Sequence, residues 1–147
     1  MIKRGAGLVL LMASFAAFGG LGDKKAVIEG WEIYRQVDIM TDEVSCIATY
    51  KGKSKIQLDD GALAVGGVVY PEGYQYRIDD QPQSSMQLTS SSEKQVGAVI
   101  IEGDLFKEVL KSKRFRIQVI GVALTTFDLD MSAAPAVIAK FKELGCS

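Results

Sequence analysis

Few side chains in this sequence are equipped for covalent or acid–base chemistry. Four acidic pairs occur: Asp42 with Glu43, Asp59 with Asp60, Asp79 with Asp80, and Asp128 with Asp130. Glycoside hydrolysis needs two carboxylates facing each other across a cleft. Neighbouring residues of a strand point to opposite faces, so only Asp128 and Asp130 share one. The other three pairs fall in turns, where aspartate is common for backbone reasons. Ser91 to Lys94 has the S-x-x-K spacing that supplies nucleophile and base in penicillin-binding proteins. Neither S-D-N nor K-T-G follows, and the chain is too short for that fold. No D-x-[DN]-x-[DN]-G calcium loop is present. The 147 residues include no histidine. That absence removes Ser-His-Asp and Cys-His nucleophiles, histidine zinc sites and the usual general base near neutral pH. Asparagine is absent too, so there is no N-glycosylation acceptor. The expectation is a protein without catalytic residues, cofactor or metal.

The remaining reactive groups are the thiols of Cys46 and Cys146. Their meaning depends on compartment. Lys3 and Arg4 precede an uncharged stretch from Gly5 to Gly22 with an apolar centre from Leu8 to Phe18. A positive start followed by a short apolar run is the pattern of an export signal, so residues 1–22 read as a signal peptide. The alternative is an uncleaved anchor, since the stretch approaches the roughly 20 residues that span a bilayer. With cleavage, no membrane span is expected to remain. In an oxidising compartment an even pair of cysteines reads as a disulfide. The alternatives are two buried thiols or a redox pair, the latter usually spaced C-x-x-C.

Binding chemistry is better represented. Lys107, Lys111, Lys113, Arg114 and Arg116 concentrate positive charge, although cations near a helix C-terminus are also favoured by the helix dipole. Tyr74, Tyr76 and Arg77 are of types common in binding hot spots. Alternation assigns both tyrosines to the core face with Ile78 and leaves Arg77 and Asp79 on the other. Arg77, Asp79, Lys111, Lys113, Arg114 and Arg116 are therefore the candidate partner-binding residues. Lys3 and Arg4 account for two of the 17 basic residues, so the chain from Asp23 is net acidic and has no overall pull toward nucleic acid.

These residues need strands to hold them. Trp31, Ile33 and Val37 alternate with polar residues, as do Val44, Cys46, Ala48 and Tyr50, so Asp38 to Glu43 reads as a hairpin turn. Lys51, Lys53 and Lys55 read as the exposed exit, where they would discourage edge pairing. Further strands begin at Ile56, run from Ala62 to Tyr70 with a bulge at Gly66 and Gly67, and cover Tyr74 to Ile78, Val96 to Ile101, Phe115 to Val119 and Leu124 to Asp130. The polar segment from Gln81 to Lys94 reads as a long loop or weak edge strand. Asp104 is a candidate N-cap for a helix burying Leu105, Phe106, Val109 and Leu110. Ser132 is the candidate cap of a final helix ending at Gly145. The fold expected over residues 23–147 is mainly β: one domain, an antiparallel β-sandwich of about eight strands with two short α-helices, one at the C-terminus.

Several of these segments also match a family. The leader is followed by W-E-I-Y from Trp31 and D-I-M-T-D-E-V-S-C ending at Cys46. Later come Y-R-I-D-D-Q-P from Tyr76 to Pro82, and F-D-L-D-M-S-A-A-P-A from Phe127, ahead of a helix and a cysteine. In these the chain resembles the exported bacterial family named for the invasion-associated locus B protein, and related periplasmic proteins found with type VI secretion systems. One departure is that no glycine stands near Met131. The resemblance implies a periplasmic or surface-exposed β-sandwich without known catalytic residues, in some members linked to host-cell association. The function expected is contact with a protein partner in the envelope or outside the cell, associated with virulence or secretion. The rival is a periplasmic inhibitor or immunity protein, with the Gln81–Lys94 segment plugging an enzyme's cleft. Nothing in the sequence sets the oligomeric state.

Overall fold

The computed structural model describes residues 22–146; the signal-peptide expectation lies outside them, apart from Gly22. Two antiparallel sheets share one core. The first has six strands: β1 (Asp23–Ile28), β2 (Trp31–Val37), β3 (Val44–Tyr50), β4 (Lys53–Leu58), β5 (Ala62–Gly66) and β8 (Ala98–Glu102), in that spatial order. The second has four, ordered β10 (Leu124–Asp130), β9 (Arg114–Ile120), β6 (Gly73–Ile78) and β7 (Gln87–Leu88). The described residues also form three helices: α1 (Ser91–Val96), α2 (Gly103–Lys111) and α3 (Ala134–Glu143).

The period-2 pattern places the core. In β9, Phe115, Ile117 and Val119 are buried while Arg114, Arg116 and Gln118 alternate with them. Trp31 and Ile33 of β2, Leu58 of β4, Leu63 and Val65 of β5 and Ile101 of β8 meet them from the first sheet. Phe106 and Val109 of α2, with Ala134, Val137 and Phe141 of α3, close the same cluster. Each fully buried large side chain contributes about 1.5–3 kcal/mol relative to exposure. Cys46 of β3 and Cys146 beyond α3 are joined by a disulfide with a Cα–Cα distance of 5.6 Å. Beside it the Arg35 Nε–H donates to the Leu144 carbonyl at 3.0 Å, so the chain end is fastened twice to the first sheet.

Among the described residues ten strands and three helices form, where about eight and two were expected. Strand β1 was overlooked because only its pairing with β2 orders it, and Lys24 and Lys25 hide any alternation. Lys53 and Lys55 are not an exit: they lie within β4, an interior strand flanked by β3 and β5. The strand from Ala62 ends at Gly66, because Gly67 takes a positive φ of 81° and the chain leaves for the other sheet. It returns through Gly97, where φ is 69° and a Cβ would lie 2.6 Å from the Val68 carbonyl oxygen, so only glycine fits.

The helix caps also differ from expectation. Glu102 and Ala133 occupy the N-cap positions of α2 and α3, without side-chain cap bonds. Asp104 lies one residue inside α2, where its charge still suits the dipole. Ser132 instead donates its hydroxyl to Asp130.

The Gln81–Lys94 segment is not a free loop. The Ser84 N–H donates to the Tyr76 carbonyl at 2.8 Å, and Ser84 Oγ accepts from the Tyr76 N–H at 2.9 Å. Gln87 and Leu88 pair with β6, and the Thr89 hydroxyl donates to the Pro71 carbonyl at 2.6 Å. Ser90 and Glu93 then form a reciprocal capping box that starts α1. The segment thus runs beside β6, and at Gln87 and Leu88 it forms the short edge strand that was the alternative to a loop.

Candidate functional site

The buried face of the second sheet takes Phe115, Ile117 and Val119 of β9, which leaves its outer face to the alternate positions, Ile120 among them. Strand register sorts those positions into rows. Arg114 stands opposite Asp130, and Asp128, Arg116 and Arg77 form the next row across β10, β9 and β6. Thr126, Gln118 and Gln75 form the third row, and Leu124, Ile120, Gly73 and Leu88 the fourth. The face changes along the strands from charged, through amide and hydroxyl, to apolar.

A groove of about 190 Å³ opens at its centre, lined among others by Gln75, Arg77, Gln83, Arg116, Gln118 and Thr126. Arg77 and Arg116 are direct cross-strand partners, and like charges so placed repel. Carbonyl oxygens hold them apart. The Arg77 Nε–H donates to the Gln81 carbonyl at 2.8 Å, and Arg116 Nη2 donates to the Asp79 carbonyl at 2.7 Å. The Arg116 Nε is buried without a hydrogen-bond partner among the described residues. No carboxylate of those residues forms an ion pair with either guanidinium.

The nearby carboxylates are engaged elsewhere. Asp128 receives two bonds from Arg114, Nε at 2.9 Å and Nη2 at 2.7 Å, a bidentate pair. That hydrogen bonding holds the Asp128 carboxyl below its ordinary value. Asp130 accepts from the Ser132 hydroxyl and N–H, which lowers its pKa likewise, and Lys51 lies 3.6 Å away. The two share a face as expected, but each has its own cation, and they do not oppose each other across a cleft. Asp79 Oδ1 accepts from the Lys113 and Arg114 backbone N–H groups at 3.0 and 2.9 Å, making it a bracket between β6 and β9. Lys111 and Lys113 stand outside the groove, Lys111 in the last turn of α2. Of the six candidate binding residues, the structure therefore unites Arg77 and Arg116, supported by Asp79 and Arg114.

Sequence reasoning missed the rest of the face. Gln75, Gln118 and Thr126 are interior to the same alternation, but their meeting depends on the register between β6 and β9. The apolar end was also missed: Leu88 is 85% exposed, Val122 79% and Leu124 63%. Val69 and Tyr70, from the crossover between sheets, join them, with the Val122 N–H donating to the Val69 carbonyl at 3.2 Å. Gly121 permits this approach, since a Cβ there would meet the same carbonyl at 2.6 Å.

Elsewhere the titratable groups staple or turn the backbone. Lys24 and Tyr34 both donate to Glu32, at 3.0 and 2.8 Å, and these bonds lower the Glu32 pKa. Burial raises the Asp59 pKa while its carboxylate accepts from the Gly61 and Ala62 N–H groups. Among the described residues, no three His, Cys, Asp or Glu side chains gather as a metal site would require, and no helix is long and apolar enough to cross a membrane.

No family model matches the chain, and no curated protein does. Among solved structures, the crystal structure of invasion associated protein B from Bartonella henselae matches over 87% of this chain and 96% of that one. Its TM-score is 0.40 and its sequence identity 10%. At that level the likeness transfers no residue's role.

Proposed function

We propose that this chain is an exported, non-enzymatic protein that acts by protein–protein contact in the bacterial envelope or outside the cell. The reading extends to a virulence- or secretion-associated role of the kind implied by its resemblance to invasion-associated locus B-like proteins. The outer face of the second sheet is the contact surface. The observation that carries this reading is the row structure of that face: two guanidiniums without an ion-pair partner toward one end and exposed apolar side chains at the other. Arginine and tyrosine are enriched in interface centres, and the exposed apolar side chains beside Tyr70 add area that a partner can bury. The export-type leader and the disulfide between Cys46 and Cys146 support an oxidising location.

The test is a photocrosslinking amino acid placed at Thr126 in the exported protein, with a control at Lys142 on the exposed side of α3. A discrete adduct from Thr126, absent from Lys142 and lost when Leu124→Asp is added, is the expected result. Identical adduct patterns at both positions would refute the reading.

A further inference from the structure

Resting on that reading, we infer that the outer face of the second sheet binds an extended acidic segment of its partner. An apolar side chain seats on the row of Leu124, Ile120 and Leu88, and one or two carboxylates reach Arg77 and Arg116. The geometry supplies the spacing. Ile120 and Arg116 are four residues apart on β9, or about 13 Å at about 3.3 Å per residue. A ligand peptide running along the strands covers that distance in four residues of its own. Between the ends, Gln75, Gln118 and Thr126 offer amide and hydroxyl groups that can both donate and accept, as a peptide backbone requires.

Charge complementarity selects the acidic class. Arg77 and Arg116 repel each other in register, and the buried Arg116 Nε has no partner among the described residues. A carboxylate lodged between the two guanidiniums removes the repulsion and accepts from planar donors in the bidentate manner. An anionic membrane or nucleic acid fits less well. The arginines line a groove, Asp128 stands opposite Arg116 in the strand register, and the chain from Asp23 is net acidic. Of the exposed faces, this one alone joins such a guanidinium pair to an apolar row among the described residues.

The experiment is fluorescence anisotropy on the folded, oxidised protein with labelled six-residue peptides. The probe has leucine first, glutamate at the fifth and sixth positions and serine or threonine between. One comparison peptide carries glutamine for both glutamates, and another serine for leucine. The expected result is saturable binding of the probe, weakened at least tenfold by either replacement and by the Arg77→Gln/Arg116→Gln double variant. Tenfold corresponds to about 1.4 kcal/mol, less than the loss of a hydrogen bond to a charged group or of a buried leucine side chain. The Arg77→Lys/Arg116→Lys variant keeps the charges, loses the planar forks and should fall in between. It also guards against misfolding of the glutamine variant, which circular dichroism would detect.

Equal binding of the glutamate and glutamine peptides would overturn the inference. So would an undiminished affinity in the double variant, or binding to anionic phospholipid vesicles with none to the peptide. If the Thr126 adduct persists while the peptide fails to bind, the acidic-segment chemistry is wrong and the contact role stands. If neither appears, both fail.

Discussion

Removing the disulfide with the Cys46→Ala/Cys146→Ala pair tests how this fold is held together and where it can operate. The bond closes a loop spanning 100 residues of separation. In the chain-entropy model such a loop restricts the unfolded ensemble enough to contribute about 4.7 kcal/mol. Domains of this size have about 5–15 kcal/mol in total, so the loss takes from a third to nearly all of the stability. Alanine is the right replacement because both half-cystines are 6% exposed, and a serine hydroxyl would need a partner there. The native structure itself should persist. Phe141 stays buried against the core, and Arg35 still donates to the Leu144 carbonyl. The effect therefore belongs in the unfolding free energy and not in the native spectrum. The assay is urea denaturation followed by circular dichroism. With slopes of about 1–3 kcal/mol per molar urea, the midpoint should drop by roughly 1.5–5 M. The slope should rise somewhat, because the uncrosslinked unfolded chain exposes more surface. A midpoint within about 0.5 M of the parent at equal slope would refute the loop-closure reasoning. It would also weaken the argument that this domain depends on an oxidising compartment.

Two further outcomes follow from buried polar groups. Trp31 is fully buried, packs edge-on against Tyr50 with ring centroids 5.1 Å apart, and has an indole N–H without a partner among the described residues. Trp31→Phe removes that unpaired donor along with part of the ring, so it should destabilise by less than about 2 kcal/mol, against about 3–5 for Trp31→Ala; equal losses in denaturant titrations would contradict this. Asp59, whose pKa is raised chiefly by burial, binds its proton more tightly folded than unfolded. Its contribution is thus fully present below the unfolded value of about 3.9 and declines as pH rises through the raised folded value. Asp59→Asn keeps the acceptor for the Gly61 and Ala62 N–H groups, so its melting temperature should gain on the parent as pH rises from 3 to 7, and a constant offset would sink the assignment.

The strands legible in the sequence were those with at least one face buried. The segment from Phe115 to Val119 alternates because its inner face meets Ile33, Leu63 and their neighbours, and period 2 reports that directly. Strand β1 carries no such record, because it is an edge strand ordered by pairing with β2, and the edge strand β7 was legible only as an alternative to a loop. The capping box at Ser90 and Glu93 was legible as S-x-x-E, but the overlapping S-x-x-K spacing one residue later drew attention to chemistry instead. Glu93 does more than cap, since its other oxygen accepts from the Ile100 N–H at 2.8 Å and ties α1 to the edge of β8.

The candidate site was half legible. Arg77, Arg114 and Arg116 stand out by residue type, and alternation directs Arg77 outward. Their roles were not legible, because register sets them. Asp128 pairs with Arg114 and leaves Arg116 facing Arg77, and a two-residue slip would exchange those partners. The apolar end joins residues from the crossover near Val69 to others after Gly121, a juxtaposition encoded in topology and not in local pattern.

On the proposed reading, the outer face of the second sheet is where this protein meets its partner. Amide hydrogen exchange, measured on the free protein and on its complex with the protein recovered from the Thr126 adduct, addresses it directly. Exchange should slow in residues 73–77, 116–126 and 86–88, with the β1 and β2 amides unchanged. Protection confined to the first sheet, with those three segments unaffected, would contradict the claim.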